Sequence, residues 1–148
     1  MKEDMNMSYQ ISVFLENRAG QLAEITKVLS DNNIDLRAIS IAETSDYGVL
    51  RLIVNKPKEA SAVLLEHNFV LSMTPVTVVA VPDEPGGLAK VLGVLSDANI
   101  DIQYMYSVFG QTDGLAYMIF RVADDEHLRS VLAEKGVTIA SGKELGVH

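Results

Sequence analysis

The chain contains itself twice. Leu29-Ser30-Asp31-Asn32-Asn33-Ile34-Asp35 returns 66 positions later as Leu95-Ser96-Asp97-Ala98-Asn99-Ile100-Asp101. The same shift carries Gly20 to Gly86, Leu22-Ala23 to Leu88-Ala89 and Gly48 to Gly114. Within 148 residues such a repeat leaves room for two small domains, placed here at residues 8–74 and 75–148. Further along, the second copy gains about one residue near its second helix, where a loop absorbs it.

Each copy reads as strand, helix, strand, strand, helix, strand. In the first, Tyr9 to Leu15 is rich in strand formers, and Leu22, Ile25 and Leu29 fall on one face of a helix over Gln21 to Asn32. Ile34 to Ala42 and Val49 to Val54 are strands around a turn at Ser45 to Gly48. Pro57 opens a second helix to Glu66, and Val70 to Thr74 closes the set. In the second copy, Val76 to Val81 is a strand, and Leu88, Val91, Leu92 and Leu95 make a helical stripe. Ile100 to Val108 and Leu115 to Val122 are strands, Asp125 to Glu134 is a helix capped by Asp124, and Val137 to Ala140 is the last strand. The fold class is α+β: two ferredoxin-like βαββαβ domains, each an antiparallel sheet with both helices on one face. Val76 to Val81 is apolar or nearly so on both faces, and Ala116, Met118 and Phe120 oppose Leu115, Tyr117 and Ile119. A second chain covering the open face is the simplest solution, so a homodimer is expected.

The net charge of −8 leaves no basic stripe for nucleic acid and disfavours an anionic membrane. No apolar run is long enough to span a bilayer, and no signal-peptide pattern opens the sequence, so a cytoplasmic setting is expected. The absence of cysteine removes thiol nucleophiles and thiolate metal sites. Asp31, Asn33 and Asp35 have the spacing that opens a calcium loop, but Leu36 and Ala42 stand where that loop needs glycine and glutamate. Ser30 and Ser96 lack an identifiable histidine partner, and His67, His127 and His148 are scattered. No enzyme activity, cofactor or metal is therefore expected.

Asn17-Arg18-Ala19-Gly20-Gln21-Leu22-Ala23 resembles the loop-to-helix signature of ACT domains, and Pro85-Gly86-Gly87-Leu88-Ala89 resembles it again in the second copy. Asn33-Ile34-Asp35 and Asn99-Ile100-Asp101 are similar to the family's step into its second strand. The resemblance covers nearly everything after the first eight residues, and is closest to stand-alone tandem ACT proteins without a catalytic domain. It implies regulation by a free amino acid, bound where two ACT domains meet, with the glycine loop of one facing the second-strand start of the other. A regulated enzyme acting in trans is the partner it implies. Ala19 departs from the family's usual proline, and Asp83-Glu84 replaces Asn17-Arg18.

The chemistry fits such a ligand. A helix N-terminus offers unpaired amides to a carboxylate, and glycine lets the backbone come close. Gly20, Gln21 and Leu22 are the candidate donors in the first copy, Gly86, Gly87 and Leu88 in the second. Asn17 adds a side-chain amide, and Asp35 or Asp101 offers a carboxylate to the ligand's ammonium. This gives two pseudo-equivalent sites. One joins Asn17 through Ala23 with Ile100 and Asp101; the other joins Asp83 through Ala89 with Ile34 and Asp35. The first is the stronger expectation, because Asp83 and Glu84 repel a carboxylate. Tyr104 and Tyr106 are candidates to line the side-chain pocket. The alternative function is a dimerisation or interaction module that binds no ligand.

Overall fold

The computed structural model describes residues 8–16, 18–43, 47–110, 113–142 and 145. Its elements are β1 (Ser8–Leu15), α1 (Gln21–Asp31), β2 (Leu36–Glu43), β3 (Gly48–Val54), α2 (Pro57–Glu66), β4 (Leu71–Pro82), α3 (Gly87–Asp97), β5 (Ile102–Ser107), β6 (Leu115–Val122) and α4 (Asp125–Glu134). The chain divides into two compact units: Tyr9–Thr74 forms one, and the residues from Pro75 on form the other, except that Ser8 belongs with the second and Leu145 with the first. Both are α+β units of the ferredoxin-like kind.

In the first unit, β3 lies between β2 and β1, antiparallel to both, and Phe14 donates its amide to the Val70 carbonyl just before β4. In the second, β6 lies between β5 and the later part of β4. The last strand expected there, Val137 to Ala140, shrinks to a bridge between Val79 and Ile139, flanked by the Ala80-to-Thr138 and Ala140-to-Val78 hydrogen bonds. The two strands expected on either side of Thr74-Pro75 are one continuous strand, β4.

Alternation along the strands builds each core. Ile11 and Val13 of β1 and Leu50 and Leu52 of β3 meet Ile25 and Leu29 of α1 and Leu64 of α2. In the second unit Val79 and Val81 meet Val91, Leu95, Phe120, Leu128 and Leu132. A fully buried side chain of this size contributes about 1.5–3 kcal/mol. The core trades volume between copies: Leu52 and Ala60 of the first give way to Phe120 and Leu128 in the second.

Register locates the length difference between the copies. Val13 pairs with Leu50, and its counterpart Val79 pairs with Met118. From β3 onward the second copy therefore runs 68 positions ahead rather than 66, the difference between Leu50 and Met118. The gain is two residues, and it falls in the β5–β6 turn, not near the second helix. Gly114 is thus not the counterpart of Gly48, which pairs with Leu15 inside the ladder. A two-residue gain in a turn preserves which side chains face the core, whereas a gain of one would turn every later strand residue over.

Val76 through Val81 are all buried. Arg121 donates to the Pro75 carbonyl at 3.1 Å and stands 3.5 Å from the Asp125 carboxylate at the start of α4. Asp124 caps that helix by accepting from the His127 amide at 3.1 Å. Among the described residues, no helix is long and apolar enough to cross a membrane.

Candidate functional site

The two glycine loops are backbone copies. Gly20 has φ 86 and ψ −8, Gly86 has φ 87 and ψ −8, and each is the residue before a helix with no side-chain cap. Glycine is the residue that takes this left-handed conformation without steric cost. With no cap present, the first-turn amides of Leu22 and Ala23 have no acceptor among the described residues. Arg18 pairs with Glu24 at 3.1 Å and lies 3.9 Å from Glu16, so one guanidinium is shared between two carboxylates. Ala19 and Gly20 complete the turn, while Asn17 lies outside the described residues.

The residue after the glycine differs between the copies. Gln21 is buried, and its side-chain oxygen accepts the Glu16 amide at 2.6 Å. The second copy has Pro82 and Gly87 at these two places. Proline has no amide to satisfy and glycine has no side chain to satisfy it, so the pair changes together. Gly87 donates its own amide to the Glu84 carbonyl at 3.0 Å, which removes it from the donors expected for a ligand. A Cβ on Gly87 would sit 2.0 Å from the Pro82 carbonyl oxygen, so the loop closes only around glycine. Pro85, Gly86 and Leu88 remain at the loop and first turn of α3.

The strand starts are also copies. Asn33 and Asn99 both take φ 57 after α1 and α3. The Ile34 amide bonds the Leu29 carbonyl and the Ile100 amide the Leu95 carbonyl, each at 2.9 Å, a left-handed helix stop. Each stop floors a cleft. One of about 490 Å³ is lined by Ser30, Asn33, Ile34, Asp35 and Asn55 among others, and one of about 470 Å³ by Ser96, Asn99, Ile100 and Asp101.

Their aspartates are not equivalent in chemistry. Asp35 accepts from Arg37 at 2.8 Å, and its amide donates to the Asn55 side chain at 2.9 Å. The second copy has Gln103 and Ala123 at those places, and the Asp101 carboxylate has no partner among the described residues. Asp101 is exposed and open to a cation; Asp35 already holds one. Sequence reasoning missed this difference, although Arg37 two residues after Asp35 was the available signal.

Within one unit the loop and the strand start lie at opposite ends of an 11-residue helix, about 16 Å long. Tyr104 and Tyr106 stack at 6.4 Å on β5, in register with Arg121 and Ile119 of the face away from the helices, and neither lines the Asp101 cleft.

Comparison with known proteins places this geometry. Residues 5–147 match the ACT domain pair family. The crystal structure of protein BT0572 from Bacteroides thetaiotaomicron is 39% identical, superposes with a TM-score of 0.87, and covers 95% of this chain and 96% of its own. The regulatory subunit of aspartate kinase from Thermus thermophilus, in its ligand-free form, shares the fold at 15% identity and a TM-score of 0.59, covering 87% and 91%. The aspartokinase alpha and beta subunits do so at 14% identity and a TM-score of 0.51, covering 88% and 97%. No curated protein matches the sequence. The glycine-started helices, the repeated strand starts and the match along almost the whole sequence make this chain a member of the ACT domain pair family, a family of regulatory domains.

Proposed function

We propose that this protein is a cytoplasmic, non-enzymatic regulator that binds a free amino acid and passes its occupancy to a partner enzyme acting in trans. The observation that carries the reading is the pair of uncapped, glycine-started helices in an ACT domain pair. Their first-turn amides suit the ligand's carboxylate. Asp101, whose carboxylate has no partner among the described residues, supports it as the acceptor for the ammonium, with Gly20, Gln21 and Leu22 as candidate donors to the carboxylate. The site built on Asp35 is the weaker one, because Arg37 already neutralises that carboxylate. The ligand must favour one arrangement of the domains for binding to signal anything.

A homodimer belongs to the same proposal. Phe14 and Tyr47 pair at 5.8 Å while each remains nearly half exposed, and a partner chain would cover such a patch. Light scattering at several protein concentrations measures this directly.

The ligand is tested by a thermal-shift screen of the purified protein against all free amino acids at millimolar concentration. A ligand at a hundred times its dissociation constant adds about 2.7 kcal/mol. One or a few hits abolished by Asp101→Ala support the reading. A flat screen favours an interaction module without a ligand, and ends the sensor reading.

A further inference from the structure

The structure holds a second pair of related cavities, inside each unit and away from the strand starts. In the first unit the cavity measures about 320 Å³ and lies between Phe14 of β1, Gln21 of α1, Tyr47 and the Phe69-Val70 segment. In the second it measures about 260 Å³ and lies between Pro82, Gly87, Leu115 and the Val137-Thr138 segment. Register makes these the same place: Gln21 corresponds to Gly87, Tyr47 to Leu115 and Phe69 to Val137. Their linings differ. Gln21 reaches across the first to the Glu16 amide, and Glu16 itself lines it. In the second copy Gly87 leaves that space free, and Val91, Val94 and Leu115 make an apolar wall.

Charge reverses as well. Lys90 and Lys135 both line the second cavity, and no acidic residue does. Lys90 stands where the first copy has Glu24, which is tied to Arg18. Neither lysine makes an ion pair among the described residues. In a chain of net charge −8, an apolar recess lined by two lysines and by no acidic residue selects anions. Its lining offers no carboxylate to an ammonium, so it disfavours a zwitterion.

We propose that the second unit binds a small carboxylate with an apolar tail of about four to six carbons. The tail sits against Val91 and Val94, and the carboxylate meets Lys90 and Lys135. This site is separate from the amides of the Gly20 loop and from Asp101, and stands whether or not these bind an amino acid.

Isocaproate, leucine and isohexanol share one carbon skeleton and differ in charge, which makes them the probes. Calorimetric titration of the full chain is expected to show isocaproate binding. Isohexanol and leucine should each bind at least about tenfold more weakly. Because both lysines are exposed, Lys90→Gln with Lys135→Gln should fold normally and weaken isocaproate by about tenfold or more. Asp101→Ala should leave isocaproate binding unchanged, which separates this site from the amino-acid one. Absence of isocaproate binding up to about 10 mM overturns the proposal. So does binding indifferent to the lysine pair, and so does leucine binding there as tightly as isocaproate.

Discussion

The two ACT units share a backbone and differ in what they do with it. Gly20 and Gly86 agree within one degree in φ, and Asn33 and Asn99 agree entirely. Yet Glu16 and Gln21 lock the first loop by a hydrogen bond, while Pro82 and Gly87 close the second by omission. Asp35 is neutralised by Arg37, while the Asp101 carboxylate has no partner among the described residues. On the faces away from the helices, Ala38 and Ser40 of β2 give way to Tyr104 and Tyr106 of β5. Duplication thus preserved the positions that set backbone geometry, and left each copy to develop its own chemistry. The loops, the strand starts and the cavities all point the same way: one scaffold presents different chemistry at equivalent places.

The sharpest way to break the comparison is at the glycines. Gly87→Ala drives a Cβ into the Pro82 carbonyl and should cost about 3 kcal/mol or more in urea unfolding. Gly20→Ala meets nothing within 4 Å and should cost only the left-handed strain, about 1–2 kcal/mol. Equal costs would show that the second loop does not depend on this contact. Next in size is the aspartate pair. With an amino acid found in the screen, Asp101→Ala should abolish a stabilisation of about 2.7 kcal/mol, whereas Asp35→Ala should keep most of it. The reverse result would move the main site to the other copy.

Gln21→Gly should cost about 1–3 kcal/mol by stranding the Glu16 amide. Adding Glu16→Pro, which recreates the second copy's pair, should recover part of that loss, because removing both partners is cheaper than removing one. A double variant as unstable as the sum of the singles would mean the two positions are not coupled.

The smallest expected effect is on pH dependence, and it belongs to the second copy alone. Burial pushes the Asp125 carboxyl above its ordinary value of 3.8, against the opposing pull of Arg121 and Arg129. The folded state therefore binds this proton more tightly than the unfolded one. The associated stability is fully present below 3.8 and is lost as pH rises through the raised folded value. Asp125→Asn should remove that slope, so its melting temperature should gain on the parent's as pH rises through this window. Pro57 occupies the same helix position in the first copy, and no such dependence arises there. A parallel pair of pH–stability curves would rule out Asp125 as its source.

Much of this molecule is legible in its sequence. Periodicity gave α2, β6 and α4 to the residue, because Pro57, the Leu115-to-Val122 run and the Asp124 cap are strong local signals. Joint order made the two glycine loops recognisable. Strand register was not legible. Gly48 and Gly114 agree in sequence by the same shift as the true counterparts, and only ladder pairing shows that they are not equivalent. Nor was the closing strand of the second unit, where Val137 to Ala140 has a strand's composition but forms a single bridge.

The sequence by itself determined the duplication, the order of elements and the residues that start and stop the helices. These depend on a few neighbouring residues: a glycine with positive φ, a capping aspartate, an apolar stripe of helical period. Tertiary structure decided whether a glycine is optional or required, and where a cavity opens beside two lysines. Asp35 meets Asn55 across twenty residues of sequence, and Gly87 is fixed by an oxygen five residues before it on another element. Such relations exist only once strands are paired and helices packed, because pairing is what sets a distance between residues that the chain keeps apart.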